Sequence, residues 1–181
     1  MTTDTDIIEY WYASDMQAHW FAATPDLDQA IKKRYESLWE NAAAGELDSW
    51  KKTPQGCLAL IIILDQFPLN MFRGQAKSFS TEKKAIETTH HALKQGFDQQ
   101  LEKDKLAFLL MPLMHSEKLV DQALSVKLYK QHQLTDNIQF AEHHQAIIKT
   151  YGRFPHRNTI LGRASTAAEV AYLNSEQAFK G

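Results

Sequence analysis

Four of the chain's five arginines fall in two short segments interrupted by proline. The first reads Asp65-Gln66-Phe67-Pro68-Leu69-Asn70-Met71-Phe72-Arg73-Gly74. The second reads Gly152-Arg153-Phe154-Pro155-His156-Arg157-Asn158 and closes on Leu161-Gly162-Arg163. A guanidinium is a planar fork of donors that matches carboxylates and phosphates in partly buried places, whereas lysine is the usual solvated cation. These segments are therefore the candidate site. Arg73, Arg153, Arg157 and Arg163 would hold an anion, with Asn70 and Asn158 as hydrogen-bonding neighbours. The competing reading is internal: the same forks tie helix ends together through Asp65, Glu117 and Asp121. Either way, Arg73, Arg153 and Arg157 are expected beside those carboxylates. The fifth arginine, Arg34, belongs to a Lys32-Lys33-Arg34 triplet that reads as a solvated helix face.

The acid–base candidates are fewer. Asp65 follows the apolar run Leu58–Leu64, where an isolated carboxylate is costly to desolvate. It must be paired, protonated or turned outward, and facing a cleft it would serve as a base. His115 and Glu117 flank Ser116 and meet only if the chain turns there, with Ser116 as a helix N-cap and Glu117 in the first turn. His144 shares its helix face with Ile148 and points inward; His156 lies in a loop between Pro155 and Arg157. An enzyme built here would use His115, Glu117 and His156 for proton transfer beside an arginine clamp. No metal or cofactor is indicated, because the donors lie in separate segments without His-x-x-x-His or Glu-x-x-His spacing. Cys57 adjoins the apolar run and reads as a buried thiol rather than a nucleophile. Ser116 and Ser165 lack a nucleophile-elbow context.

The elements that must position these groups are helical throughout. From Asp26 to Ala44, Leu27, Ile31, Tyr35, Leu38 and Ala42 recur on one face, and Gly45 follows as a C-cap. Thr53-Pro54 reads as N-cap and first residue of a central helix that Pro68 should end. Further helices are expected over 81–95, over 101–114 with a kink or break at Pro112, over 116–131 with Leu119, Val120, Ala123 and Leu128, and from an Asp136 cap to Gly152. Thr166-Ala167-Ala168-Glu169 has the form of a capping box, and an N-terminal helix carries Ile8, Trp11 and Tyr12. The expected architecture is a single all-α domain over 1–181, made of antiparallel helix pairs in a bundle or short solenoid.

Composition narrows the function classes. With 181 residues, 44% of them hydrophobic, the chain can bury an ordinary core. A net charge of -2 without a Lys/Arg run argues against a nucleic-acid partner. The apolar runs fall far short of the ~20 residues a membrane helix needs, and the first residues lack the pattern of a secretory signal. A cytoplasmic protein is the expectation.

The ordered set Leu64-Asp65-Gln66-Phe67-Pro68, Asn70, Phe72-Arg73-Gly74, Pro112, Met114-His115-Ser116-Glu117, Asp121-Gln122, His144 and Gly152–Arg163 resembles a bacterial family, domain of unknown function 924. Gly45-Glu46-Leu47 and Trp50 extend the resemblance upstream. It implies an all-α fold similar to tetratricopeptide-repeat proteins and no particular activity, substrate or cofactor. Members often carry a basic residue between the Pro and Asn of the first motif. Leu69 stands there, which weakens any anion-binding role for that position.

Two functions follow. One is a binding or scaffold module whose groove, lined by arginine, histidine and acid, takes an anionic small molecule or a peptide. The other is an enzyme using histidine and carboxylate hydrolytic chemistry in the same cleft. An arginine fork left open beside a concave pocket would point to a site, and forks filled by protein carboxylates to a structural role.

Overall fold

The computed structural model describes residues 2–20 and 22–180, and every regular element among them is helical. In chain order they are α1 (Asp4–Trp11), α2 (Ser14–Gln17), α3 (Pro25–Ala44), α4 (Pro54–Ile61), α5 (Phe67–Met71), α6 (Glu82–Lys94), α7 (Lys103–His115), α8 (Leu119–Gln131), α9 (Thr135–Tyr151) and α10 (Ala167–Leu173). No described helix is long and apolar enough to cross a membrane. The chain folds as two compact units. The first comprises Met1–Arg73 and Lys77–Pro112; the second comprises Gly74–Ala76 and Leu113–Gly181.

In the first unit, local signals set the helix limits. The Thr24 hydroxyl accepts from Leu27 N–H and Pro25 takes the first helical position of α3. Gly45 closes that helix in the left-handed conformation, φ 89°, which a side chain would resist. Thr53 caps α4 in the same way, through Gly56 N–H. Cys57, Leu58, Ala59, Leu60 and Ile61 are each at most 1% exposed, so α4 is buried on every side. Around it sits an aromatic cluster in which Tyr35 stacks on Phe67 at 4.8 Å, and Trp11 meets Phe67 and Phe108 edge-on at 5.8 and 5.7 Å.

The helical path does not stop at Pro68. It passes from α4 through a π-helical turn, Ile62–Gln66, directly into α5. Phe67 N–H reaches back to Ile62 O, one residue further than in an α-helix. Proline has no N–H for the carbonyl four residues before it, and Leu64 O is served instead by the Thr81 hydroxyl at 2.6 Å. Pro112 likewise does not break α7. Residues 106–114 are all buried, and burial of so much apolar surface outweighs the ~3 kcal/mol an internal proline costs.

In the second unit, a three-residue turn folds α9 back against α8, held by Leu134 N–H to Tyr129 O at 2.9 Å. The inward face of α8 is unexpectedly polar. It buries Asp121, Gln122 and Ser125 alongside Leu128 and Tyr129. Leu119 and Val120 stand 48% and 72% exposed, and Ala123 also faces out. Gln122 explains part of this inversion: its amide donates to Met114 O at 2.6 Å and Ser116 O at 2.7 Å, satisfying carbonyls at the end of α7. The start of α9 also departs from expectation. It begins at Thr135 without a side-chain cap, and Asp136 lies in its first turn, where the helix dipole favours a carboxylate. Gly152 ends it at φ 71°, and the capping box of Thr166 and Glu169 opens α10 as its spacing predicts.

Candidate functional site

Glu117 is the hub of the second unit's polar centre. Ser116 is not a helix cap; α8 starts later, after Lys118. The Ser116 hydroxyl instead accepts from Lys118 N–H at 3.2 Å and donates to Asp121 at 2.7 Å. That turn leaves Glu117 outside any helix, reaching the loop after α9. Its Oε1 accepts from Phe154 N–H at 2.8 Å, and Arg163 grips both its oxygens at 2.7 and 2.9 Å. Arg163 also donates to Asn158 Oδ1 at 3.0 Å, and Asn158 donates to Ser165 at 3.0 Å. Burial pushes the Glu117 pKa up, but hydrogen bonds from Arg163 and Phe154 outweigh it, and the carboxyl stays below its ordinary value.

Arg153 pairs with Glu169 through two contacts of 2.6 and 2.8 Å and donates to Ala164 O at 2.8 Å. Glu169 is 2% exposed. The Arg153 hydrogen bonds pull its pKa down to about 2, helped by the backbone of Thr166. Arg157 is buried over the Phe154 ring at 4.7 Å and donates to His115 O at 2.9 Å.

Histidines complete this centre. His144 packs on Phe154 and Phe179 at 5.4 and 4.5 Å, and His156 packs on the same two rings at 5.6 and 5.0 Å. His144 Nδ1 lies 2.8 Å from Phe140 O, which places the proton on that nitrogen. Burial is the main cause that lowers His144 to about 3 and His156 to about 4, and the Arg157 charge adds to the fall at His156. Both are neutral imidazoles at neutral pH. Among the described residues no group of three or more His, Cys, Asp or Glu is arranged to hold a metal ion.

The first-unit candidates find their partners within their own unit. Arg73 pairs with Asp28, not Asp65, at 2.7 and 3.1 Å, and Asn70 donates to the same carboxylate at 2.8 Å. Asp65 is buried and accepts from Gln66 Nε2 at 2.5 Å. Cys57 is buried as expected; burial drives its pKa up to about 11, so it is an inert thiol. The expected pairings of Arg73 and Arg153 thus give way to Asp28 and Glu169. Asp28 carries no sequence motif, and the capping box that holds Glu169 marks a helix start rather than an arginine partner, so only the fold selects these pairings.

The arginine outside both motifs behaves differently. Arg34 on α3 lies 5.0 Å from each of the Tyr10 and Tyr35 rings, which meet edge-on at 4.9 Å. Among the described residues it makes no ion pair or hydrogen bond. It borders a cavity of about 540 Å³ between α1 and α3, whose other walls include Asp6, Glu9, Tyr10 and Tyr35. A second cavity, about 360 Å³, shares Tyr10 and Arg34 and adds Asp15, Met16, His19 and Leu27. Tyr35 is 2% exposed, and its hydroxyl is buried with no hydrogen-bond partner among the described residues. Burial pushes that phenol up to about 12, so it keeps its proton. Sequence reading missed this place because a Lys-Lys-Arg triplet looks like an ordinary wet face. The available signal was Tyr35 beside Arg34 on a helix that must bury its tyrosine.

A family model for bacterial proteins of unknown function, DUF924, matches residues 7–177. The chain belongs to this family. A solved structure of a protein of unknown function from Agrobacterium tumefaciens is 34% identical, with a TM-score of 0.88 over 94% of this chain and 96% of that one. The DUF924 assignment therefore carries the all-α fold with it. No curated protein matches the chain. Within this DUF924 chain, three of the four motif arginines are filled by carboxylates and the fourth is bonded to a carbonyl, whereas Arg34 borders a cavity without an ion pair or hydrogen bond among the described residues.

Proposed function

We propose that this DUF924 protein is a binding module that takes the carboxylate end of a small ligand in the cleft between α1 and α3. The observation that carries this reading is the Arg34 guanidinium, propped on two tyrosine rings at the edge of a cavity and supplied with no protein oxygen among the described residues. A stacked guanidinium has lost side-chain freedom before a ligand arrives, which lowers the entropy cost of binding. Its planar fork suits a carboxylate. A dianionic phosphate suits it less, because Asp6 and Glu9 share the cavity.

The enzyme reading has weaker support. His144 and His156 titrate near 3 and 4, too low for an efficient proton carrier at neutral pH. Glu117 is committed to Arg163 and Phe154, so its carboxylate is not poised as a base.

The test is side-chain NMR. The Arg34 Nε–H resonance, assigned by its loss in Arg34→Lys, is followed during titration with small carboxylates: monocarboxylates, dicarboxylates, amino acids and dipeptides. At least one class should move it saturably, and Arg34→Gln should abolish that binding while keeping the wild-type circular dichroism. If no carboxylate moves the resonance at millimolar concentration, the reading fails.

A further inference from the structure

The cavity that holds Arg34 is not a cationic one. Asp6 and Glu9, three residues apart on one face of α1, both line it. Asp15 lines the adjoining cavity, which shares Arg34 as a wall. Two carboxylates and one guanidinium give the first cavity a formal charge of -1, and Asp15 makes the joint cleft more negative. A simple anion approaching Arg34 would meet repulsion from three acids. Asp6 is held ionised: Oδ2 accepts from Thr3 N–H and Oγ at 2.7 and 2.8 Å, and those bonds lower its pKa. Its other oxygen and the Glu9 carboxylate have no hydrogen bond among the described residues.

Resting on the reading that Arg34 takes a carboxylate, we infer that the ligand also carries an ammonium group, and that the cleft binds a zwitterion of the α-amino-acid class. The carboxylate meets the Arg34 fork, and the ammonium meets Asp6 and Glu9. Each half relieves the charge the other half would leave uncompensated, so neither end alone binds well. Tyr35, whose ring lies beside Arg34, also lines this cavity, and its buried hydroxyl has no hydrogen-bond partner among the described residues. The second cavity, walled partly by Met16 and Leu27, gives room for a side chain next to the polar head.

The experiment compares four amino acids of different side chain (glycine, L-leucine, L-glutamate and L-lysine). Each is measured against its analogue lacking the α-ammonium and its α-carboxamide, by calorimetry with the full chain and with the Arg34 resonance as site reporter. At least one amino acid should bind roughly tenfold or more tighter than both of its one-ended analogues, the size expected for one charge-assisted contact. Glu9→Gln, at an exposed position with no hydrogen bond or ion pair among the described residues, should erase most of the advantage over the analogue without the ammonium. That analogue's own binding should hold or tighten. Asp15→Asn gives a second variant that does not touch the α1 capping box. If the analogues without the ammonium bind as tightly as the amino acids at Arg34, the zwitterion is wrong and the carboxylate site stands. If nothing binds and the Arg34 resonance never moves, both fail.

Discussion

Glu117 and Arg163 form a two-point ion pair, Oε2 to Nη1 at 2.7 Å and Oε1 to Nη2 at 2.9 Å, across 46 residues of chain. The same carboxylate accepts the Phe154 N–H, so one side chain fixes both the loop after α9 and the Arg163 segment. Glu117→Ala should lower unfolding stability by about 2–3 kcal/mol, since it strips three charge-assisted bonds from a site only about a quarter exposed. Glu117→Gln should cost roughly half as much, because an amide oxygen still serves Phe154 N–H. Urea denaturation midpoints with an unchanged m-value check both.

Burial of His144 and His156 ties stability to pH. In the unfolded chain each imidazole takes a proton below its ordinary 6.5, while the folded ones resist until about 3 and 4. Between those values the unfolded state holds more protons, so stability is full above about 6.5 and falls as the pH drops. The slope is about 1.4 kcal/mol per pH unit for each histidine. His143, His115, Arg157 and Glu117 surround them and modulate the onset. Denaturant midpoints from pH 7.5 to 4.5 should fall steadily, and His144→Phe should flatten that fall.

Glu169 titrates in a lower window. Its folded pKa of about 2 lies below its ordinary 4.5, so its contribution is complete above about 4.5 and drains away toward pH 2. Glu169→Gln should leave stability between pH 5 and 7 lower than wild type and narrow the gap as the pH approaches 2. Thermal melts across that range supply the comparison.

Thr81 stands in for a missing backbone donor. Its hydroxyl gives its proton to Leu64 O at 2.6 Å and receives one from Trp39 Nε1 at 3.1 Å, both in buried surroundings. Thr81→Val should cost about 2–3 kcal/mol by orphaning both. In a Pro68→Ala background the cost should shrink, because residue 68 regains an N–H. A double-mutant cycle with no coupling between the two positions would disprove the substitution of hydroxyl for amide.

Asp28 matters more than Arg73. The aspartate is 12% exposed and collects Arg73 and Asn70, while the arginine side chain is 57% exposed. Arg73→Ala should therefore cost less than about 1 kcal/mol, and Asp28→Ala about 1–2 kcal/mol. Chemical denaturation of the two single variants decides the order.

Much of the fold was readable because its signals are local. Thr53-Pro54, Gly45, Gly152 and the Thr166/Glu169 box each act within four residues, so spacing reveals them. The π turn was not readable, because Leu64 O is satisfied by Thr81, which stands before α6, 17 residues further along the chain. The polar inward face of α8 was hidden for the same reason: Gln122 faces in to serve carbonyls of another helix. The motif arginines stand out by their spacing, yet the partners of Arg73 and Arg153, Asp28 and Glu169, lie 45 and 16 residues away, and the only local mark, the box at Glu169, signals a helix start rather than an ion pair. Arg34 escaped because charge runs usually face water, and only the two tyrosine rings beneath it distinguish this one.

The π turn at Ile62–Gln66 also sets a phase. One extra residue in a helix rotates everything beyond it by about 100°. Asn70 and Arg73 find Asp28 only after that rotation. Deleting a single residue there would remove the π turn and at the same time swing the whole first motif off its acidic anchor. A more regular helix would make a worse protein.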